Sequence, residues 1–146
     1  VYLYGFGPAR ARKWIMVDLG ITFPGELEPG VDVVLPDLRF IEEERGNLLG
    51  LVLTHAHEDH IGAVPELWQS LGVPIYATPF TAAMLQAKMS EQRSGPKLPI
   101  NVVPLGARFS LGPFDLQLVN MAHSIPEPSA LAIRTPAGRI FRASAR

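Results

Sequence analysis

An apolar run of six residues, "LLGLVL" at 48–53, shows no polar alternation and passes without a break into "THAHEDHIGA". A short run of that kind fits a strand covered on both faces, as in the middle of a layered sheet. Three of the chain's four histidines and two carboxylates then fall within the six residues "HAHEDH". After them "AVPELWQSLG" has Val64, Leu67, Trp68 and Leu71 at helical spacing, with Pro65 tolerable in the first turn and Gly72 as the stop. The cluster therefore projects from a strand's carboxyl end, where α/β proteins place their chemistry.

The rest of the chain alternates short apolar runs with turn signals. "VYLYGF" and "KWIMVDLG" read as strands separated by a turn at Gly7 and Pro8, and "TFPGELEPG" reads as a loop. "DLRFIEEERG" predicts a short helix capped by Asp37 and stopped by Gly46. "PIYA" is a strand, and Thr78 before Pro79 caps a helix expected to run to about Arg93 and to end at Ser94, Gly95 and Pro96. "INVVPL" is another strand, and "RFSLGPFDLQLVNM" and "SALAIRTPAGRIFRA" read as hairpins, the second turning at "TPAG". The expected fold class is mixed α/β (α+β), in one domain.

Composition removes several function classes. Thirteen basic against 14 acidic residues give no bulk field that would announce a nucleic-acid or membrane partner. No apolar run approaches the roughly 18 residues needed to cross a bilayer, and "VYLYGFGPARARK" lacks a signal-peptide layout, so the expectation is a cytoplasmic protein with no membrane partner. There are no cysteines, so any metal must be held by nitrogen and oxygen.

His55 and His57, two apart in extended chain, point to the same side, so both imidazoles can reach one ion about 2 Å from each nitrogen. Asp59 and His60 follow as the chain turns and can face a neighbouring point, while Glu58 faces away. A catalytic zinc site takes three protein ligands and keeps an open position for water. His123, in "MAHSIPEP" after the strand "DLQLVN", is the remaining histidine and again lies where a strand yields to a loop. Three histidines on one ion would leave a water whose pKa can fall to roughly 7, which points to hydrolysis.

Plainer roles compete with these. A lone histidine is more often a core or surface residue than a ligand, but three in six positions would be a heavy load of desolvation and repulsion in a purely structural role. Asp59 suits a helix N-cap as well as a ligand. Glu42, Glu43 and Glu44 read as a solvated helix face, Trp68 and Met84 as core, and Arg10, Arg12 and Lys13 as loop charges.

H-x-H-x-D-H after a buried strand, with a later histidine after another, resembles the metallo-β-lactamase superfamily. "DVVLPDLRFIEEERGNLLGLVLTHAHEDHIGAVPELW", "PIYATPFTAAML" and "HSIPEPSALAIRTPAGRIF" resemble its ribonuclease J branch, whose lactamase-like domain carries an inserted β-CASP domain. Nearly the whole chain matches, but only to the first part of that family's catalytic domain. The resemblance implies a partial αββα sandwich with a mixed sheet and flanking helices, residues 1–146 forming a single truncated domain without the β-CASP domain. It implies that His55, His57 and His123 bind one zinc, with manganese or magnesium as alternatives, and that Asp59 and His60 begin a second site. It makes Asp59 a candidate catalytic residue, puts Ser124 near the scissile phosphate, and gives Asp18 of "MVDLG" the task of buttressing the metal loop by hydrogen bonds. The implied reaction is hydrolysis of a phosphodiester in RNA by a metal-bound hydroxide.

Where the family continues after "GRIF" with a Thr-Gly-Asp turn whose aspartate bridges two metals, this chain reads Arg142, Ala143, Ser144, Ala145, Arg146. The expectation is one tight metal and a weak second site. A half-sandwich also leaves apolar surface uncovered, which favours a homodimer. Three functions remain open: a ribonuclease-like phosphodiesterase, a promiscuous metallohydrolase of small esters, lactones or phosphoesters, and a non-catalytic fragment that binds metal for folding.

Overall fold

In the computed structural model, which describes residues 1–26, 29–91 and 97–143, the run at 48–53 supplies strand β3, Leu48–Val52, at the centre of a five-stranded sheet. The sheet is ordered β1 (Tyr2–Phe6), β2 (Lys13–Val17), β3, β4 (Ile75–Ala77), β5 (Ile100–Val102). β1 and β2 form an antiparallel hairpin, and the other pairs are parallel. A second sheet, antiparallel throughout, is ordered β6 (Arg108–Leu111), β7 (Phe114–Asn120), β8 (Ser129–Thr135), β9 (Gly138–Arg142). Helices α1 (Arg39–Glu43), α2 (Glu58–Ile61), α3 (Val64–Leu71) and α4 (Pro79–Glu91) are the α-helices among the described residues, and none is long and apolar enough to cross a membrane.

The lack of alternation in β3 has the expected cause. Side chains of successive residues face opposite sides of a sheet, and both sides here are covered. Leu51 and Leu53 join Met16 and Ile75 in a core shared with Ile41, Ile61, Val64 and Leu85 of the helices. Val52 joins Ile15 and Val17 in a second core against Phe114, Leu116, Leu118, Leu131 and Ile133 of the other sheet. The described residues thus build three layers, helices on sheet on sheet. Phe114 is 2% exposed, and emptying its place by Phe114→Ala is expected to cost about 3–5 kcal/mol.

Local details depart from the sequence reading at several points. Asp37 accepts the Arg39 backbone N–H at 3.0 Å, but the N-cap position is Leu38, and the helix gives way after Glu43 to a 3-10 turn, Arg45–Asn47, that contains Gly46. Met84 is 43% exposed rather than core, because the buried side of α4 is Thr81, Ala82 and Leu85. Trp68 is half-buried against the helical core, and its Nε1–H donates to the Val73 carbonyl at 2.7 Å. Lys13 opens β2 and donates to Asn47 Oδ1, and Arg12 lies over the Trp14 ring, so neither is a plain loop charge. Glu42 and Glu44 are only partly exposed. The expected helix end at Arg93 to Pro96 lies outside the described residues. Gly72 does stop α3, in the left-handed conformation at φ 63° that favours glycine.

Candidate metal centre

The parallel register that sets Val17 beside Val52 brings two loop starts together at one sheet edge: Asp18 leaves β2 as Thr54 leaves β3. The Asp18 N–H donates to the Val52 carbonyl at 2.9 Å, and the Asp18 carboxylate then accepts the Thr54 N–H at 2.8 Å and the Thr54 hydroxyl at 2.9 Å. Its other oxygen accepts the Nδ1–H of His60 at 2.8 Å. Asp18 is 1% exposed and has φ 60°, a left-handed conformation that costs roughly 1 kcal/mol outside glycine and persists because these bonds hold it. The buttressing role expected of Asp18 is therefore visible as a set of contacts.

Thr54 passes the order on. With its hydroxyl proton given to Asp18, its Oγ1 accepts the Nδ1–H of His55 at 3.0 Å. That leaves the lone pair of His55 on Nε2, which is buried and has no hydrogen-bond partner among the described residues. Burial, followed by the neighbouring His60 ring, lowers the His55 pKa from 6.5 to about 4, so this imidazole is neutral at pH 7. An orphaned buried acceptor is costly unless something occupies it.

His57 is the N-cap residue of α2, with extended backbone, and its Nδ1 lies 3.1 Å from Nε2 of His123, 66 residues away. His123 arrives from the loop that follows β7, three residues after Asn120. The three rings stand edge-on to one another with centroids 4.8–4.9 Å apart. One nitrogen from each of His55, His57 and His123 lies within 4.8 Å of the others, a donor set that fits a divalent cation about 2 Å from each nitrogen.

His60 packs its ring on His55 at 3.8 Å and presents Nε2 toward Asp59 Oδ2 at 3.3 Å. Asp59 lies within the first turn of α2, not at its N-cap, and its side chain is 71% exposed. Its competing role as a cap is thereby removed. Beside the pair opens a cavity of about 630 Å³, lined by Asp59 and His60 together with Tyr2 and Arg142 among others. Glu58, expected to face away from the histidines, pairs with Lys88 of α4 at 2.8 Å. Ser124 is exposed directly after His123.

Three residues that shape the site escaped the sequence reading. Thr54 relays Asp18 to His55. Gly20 lets the loop after β2 lie against the metal loop, since a Cβ there would sit 1.9 Å from the Asp59 carbonyl; its position two residues after Asp18 was the available signal. Glu127 accepts the Phe80 N–H at 2.7 Å, and nothing local in sequence links a carboxylate to a helix start 47 residues earlier.

The layered sheets thus carry at their strand ends a three-imidazole group that could hold a metal ion. The chain belongs to the metallo-beta-lactamase superfamily, whose family model matches residues 1–141. It is similar to Ribonuclease J of Sinorhizobium meliloti, with 53% identity over 138 residues, 94% of this chain and 24% of that protein. It is also similar to Ribonuclease J of Corynebacterium glutamicum, with 44% identity over 131 residues, 89% of this chain and 18% of that protein. The chain thus spans about a quarter or less of the length of these relatives. Among solved structures, Zn(2+)-bound PqqB from Methylobacterium extorquens superposes with TM-score 0.65 at 13% identity, covering 94% of this chain and 50% of that one. The MIM-2 metallo-beta-lactamase superposes with TM-score 0.64 at 20% identity, covering 97% of this chain and 56% of that one. Both likenesses speak to the fold.

Proposed function

We propose that this domain belongs to a zinc-dependent hydrolase that cleaves phosphodiester bonds in RNA. The observation that carries the reading is the convergence of the orphaned His55 Nε2 with His57 and His123. An all-nitrogen donor set of three imidazoles suits zinc and keeps a position open. The similarity to Ribonuclease J supports RNA as the substrate class.

A divalent cation held by His55, His57 and His123 would supply Lewis-acid polarisation of a water and of a phosphoryl oxygen. The protein's own groups supply the rest. The Asp59 carboxylate reaches the cavity and has His60 Nε2 at 3.3 Å, a position from which it can orient the attacking water and take its proton on Oδ2. His60, held through Nδ1 by Asp18, keeps its ring fixed beside that carboxylate. The Ser124 hydroxyl, exposed next to His123, can donate to a non-bridging phosphate oxygen.

The test is turnover of an RNA oligonucleotide, bis(p-nitrophenyl) phosphate and p-nitrophenyl acetate, each with added zinc and with excess chelator. Chelator-sensitive cleavage of RNA and of the phosphodiester is the expected result. Turnover of the acetate ester alone would favour a small-ester hydrolase instead, and cleavage that survives the chelator would overturn the metal mechanism.

A further inference from the structure

We propose that Glu127 is a positioning residue for His123, and that helix α4 is the rigid member against which it holds the His123 loop. This rests on the reading of His55, His57 and His123 as a metal site. The loop from Met121 to Pro128 is closed at its base by the Met121 N–H donating to the Pro128 carbonyl at 3.1 Å. The next residue, Ser129, donates its N–H to the Thr54 carbonyl at 3.0 Å, which ties that base to the residue preceding His55. Glu127, the residue directly before Pro128, gives this loop a further anchor outside the two sheets.

The Glu127 Oε2 accepts the N–H of Phe80, the second residue of α4, at 2.7 Å. A carboxylate on a free amide at a helix N-terminus is a charge-assisted bond aided by the helix dipole. The residue expected to cap that helix, Thr78, instead donates its hydroxyl to Thr81 Oγ1 at 3.1 Å. Glu127 has φ 52°, and a left-handed glutamate persists only where its surroundings hold it.

Helix α4 also touches the other ligand-bearing segment. Lys88, eight residues after Phe80 and so about 12 Å along the axis, pairs with Glu58 Oε1 at 2.8 Å. Glu58 is the first residue of α2 and directly follows His57. One helix therefore braces both loops whose imidazoles meet at 3.1 Å, through a part-buried bond at its start and a more exposed ion pair further on. The exposed pair should contribute little, so of the two α4 contacts the Glu127 bond is the one that bears on the placement of His123.

The test compares Glu127→Ala, Glu127→Gln, His123→Ala and the Glu127→Ala/His123→Ala double variant by competition for zinc against a chromogenic chelator. Glu127→Ala is expected to weaken zinc binding about tenfold, in the range seen for groups that orient metal ligands. Glu127→Gln, whose amide oxygen can accept the same N–H, should recover most of it. In the His123→Ala background Glu127→Ala should add no further loss, which a contribution to helix stability alone would not produce. Independent of metal, the nuclear Overhauser contact between the His57 and His123 rings in chelator-treated protein should be present in the parent and Glu127→Gln chains and lost in Glu127→Ala. Unchanged zinc affinity in Glu127→Ala, losses that add in the double variant, or rings that stay together without Glu127 would overturn the proposal. If the parent chain takes up no zinc, the metal reading fails, and the ring contact still decides what Glu127 does.

Discussion

Asp18 and His60, 42 residues apart, meet through a 2.8 Å bond from the imidazole Nδ1–H to a carboxylate oxygen, and the same carboxylate holds Thr54. One buried acid thus fixes His60 directly and His55 at one remove. Asp18→Asn keeps a residue tolerant of φ 60° but places an amide where one of the two oxygens must accept. The expected loss is about 1–3 kcal/mol of folding stability, with Asp18→Ala costing more, measured by urea denaturation of chelator-treated protein. Stability equal to the parent in both variants would contradict the relay.

Gly20 makes a steric prediction that does not involve hydrogen-bond strength. An added methyl would lie 1.9 Å from backbone atoms of Asp59 and 2.4 Å from the His60 N, and backbone cannot yield as a flexible side chain does. Gly20→Ala should destabilise the chain by about 3 kcal/mol and displace α2. Calorimetric unfolding measures the first effect. Amide chemical shifts confined to residues near 18–22 and 57–63 would report the second.

The protein freed of metal should lose stability on acidification in a defined window. His55 has its pKa lowered to about 4 in the fold against 6.5 when exposed. Between those values the unfolded chain binds a proton that the folded chain refuses, so stability falls as pH drops from about 6.5 toward about 4 and this contribution levels off below. His55→Gln should flatten that part of the profile, as followed by urea midpoints across the range.

The fold was legible in the chain because its strongest pattern had a simple cause. A strand without alternation requires cover on both faces, and Leu51, Val52 and Leu53 receive it from helices on one side and from the second sheet on the other. The histidine cluster was legible for a similar reason: residue spacing sets which side chains share a face. His57 and His123 then meet across 66 residues, as expected. What could not be read were contacts fixed by tertiary register. Met84 sits at a helical spacing that allows core, and only the rotation of α4 about its axis turns it outward. Glu127 looks like an ordinary loop acid until the fold carries the start of α4 to it. Thr54 is silent in sequence because its role arises where two parallel strands end side by side.

A cation shared by imidazoles from two distant segments is the centre of the proposed chemistry. Zinc per chain, determined by elemental analysis after dialysis of the parent, His55→Ala, His57→Ala and His123→Ala proteins, tests this most directly. One tightly held ion per parent chain, lost in each variant including the remote His123→Ala, is the predicted result; undiminished zinc in His123→Ala, with the fold intact by circular dichroism, would contradict it.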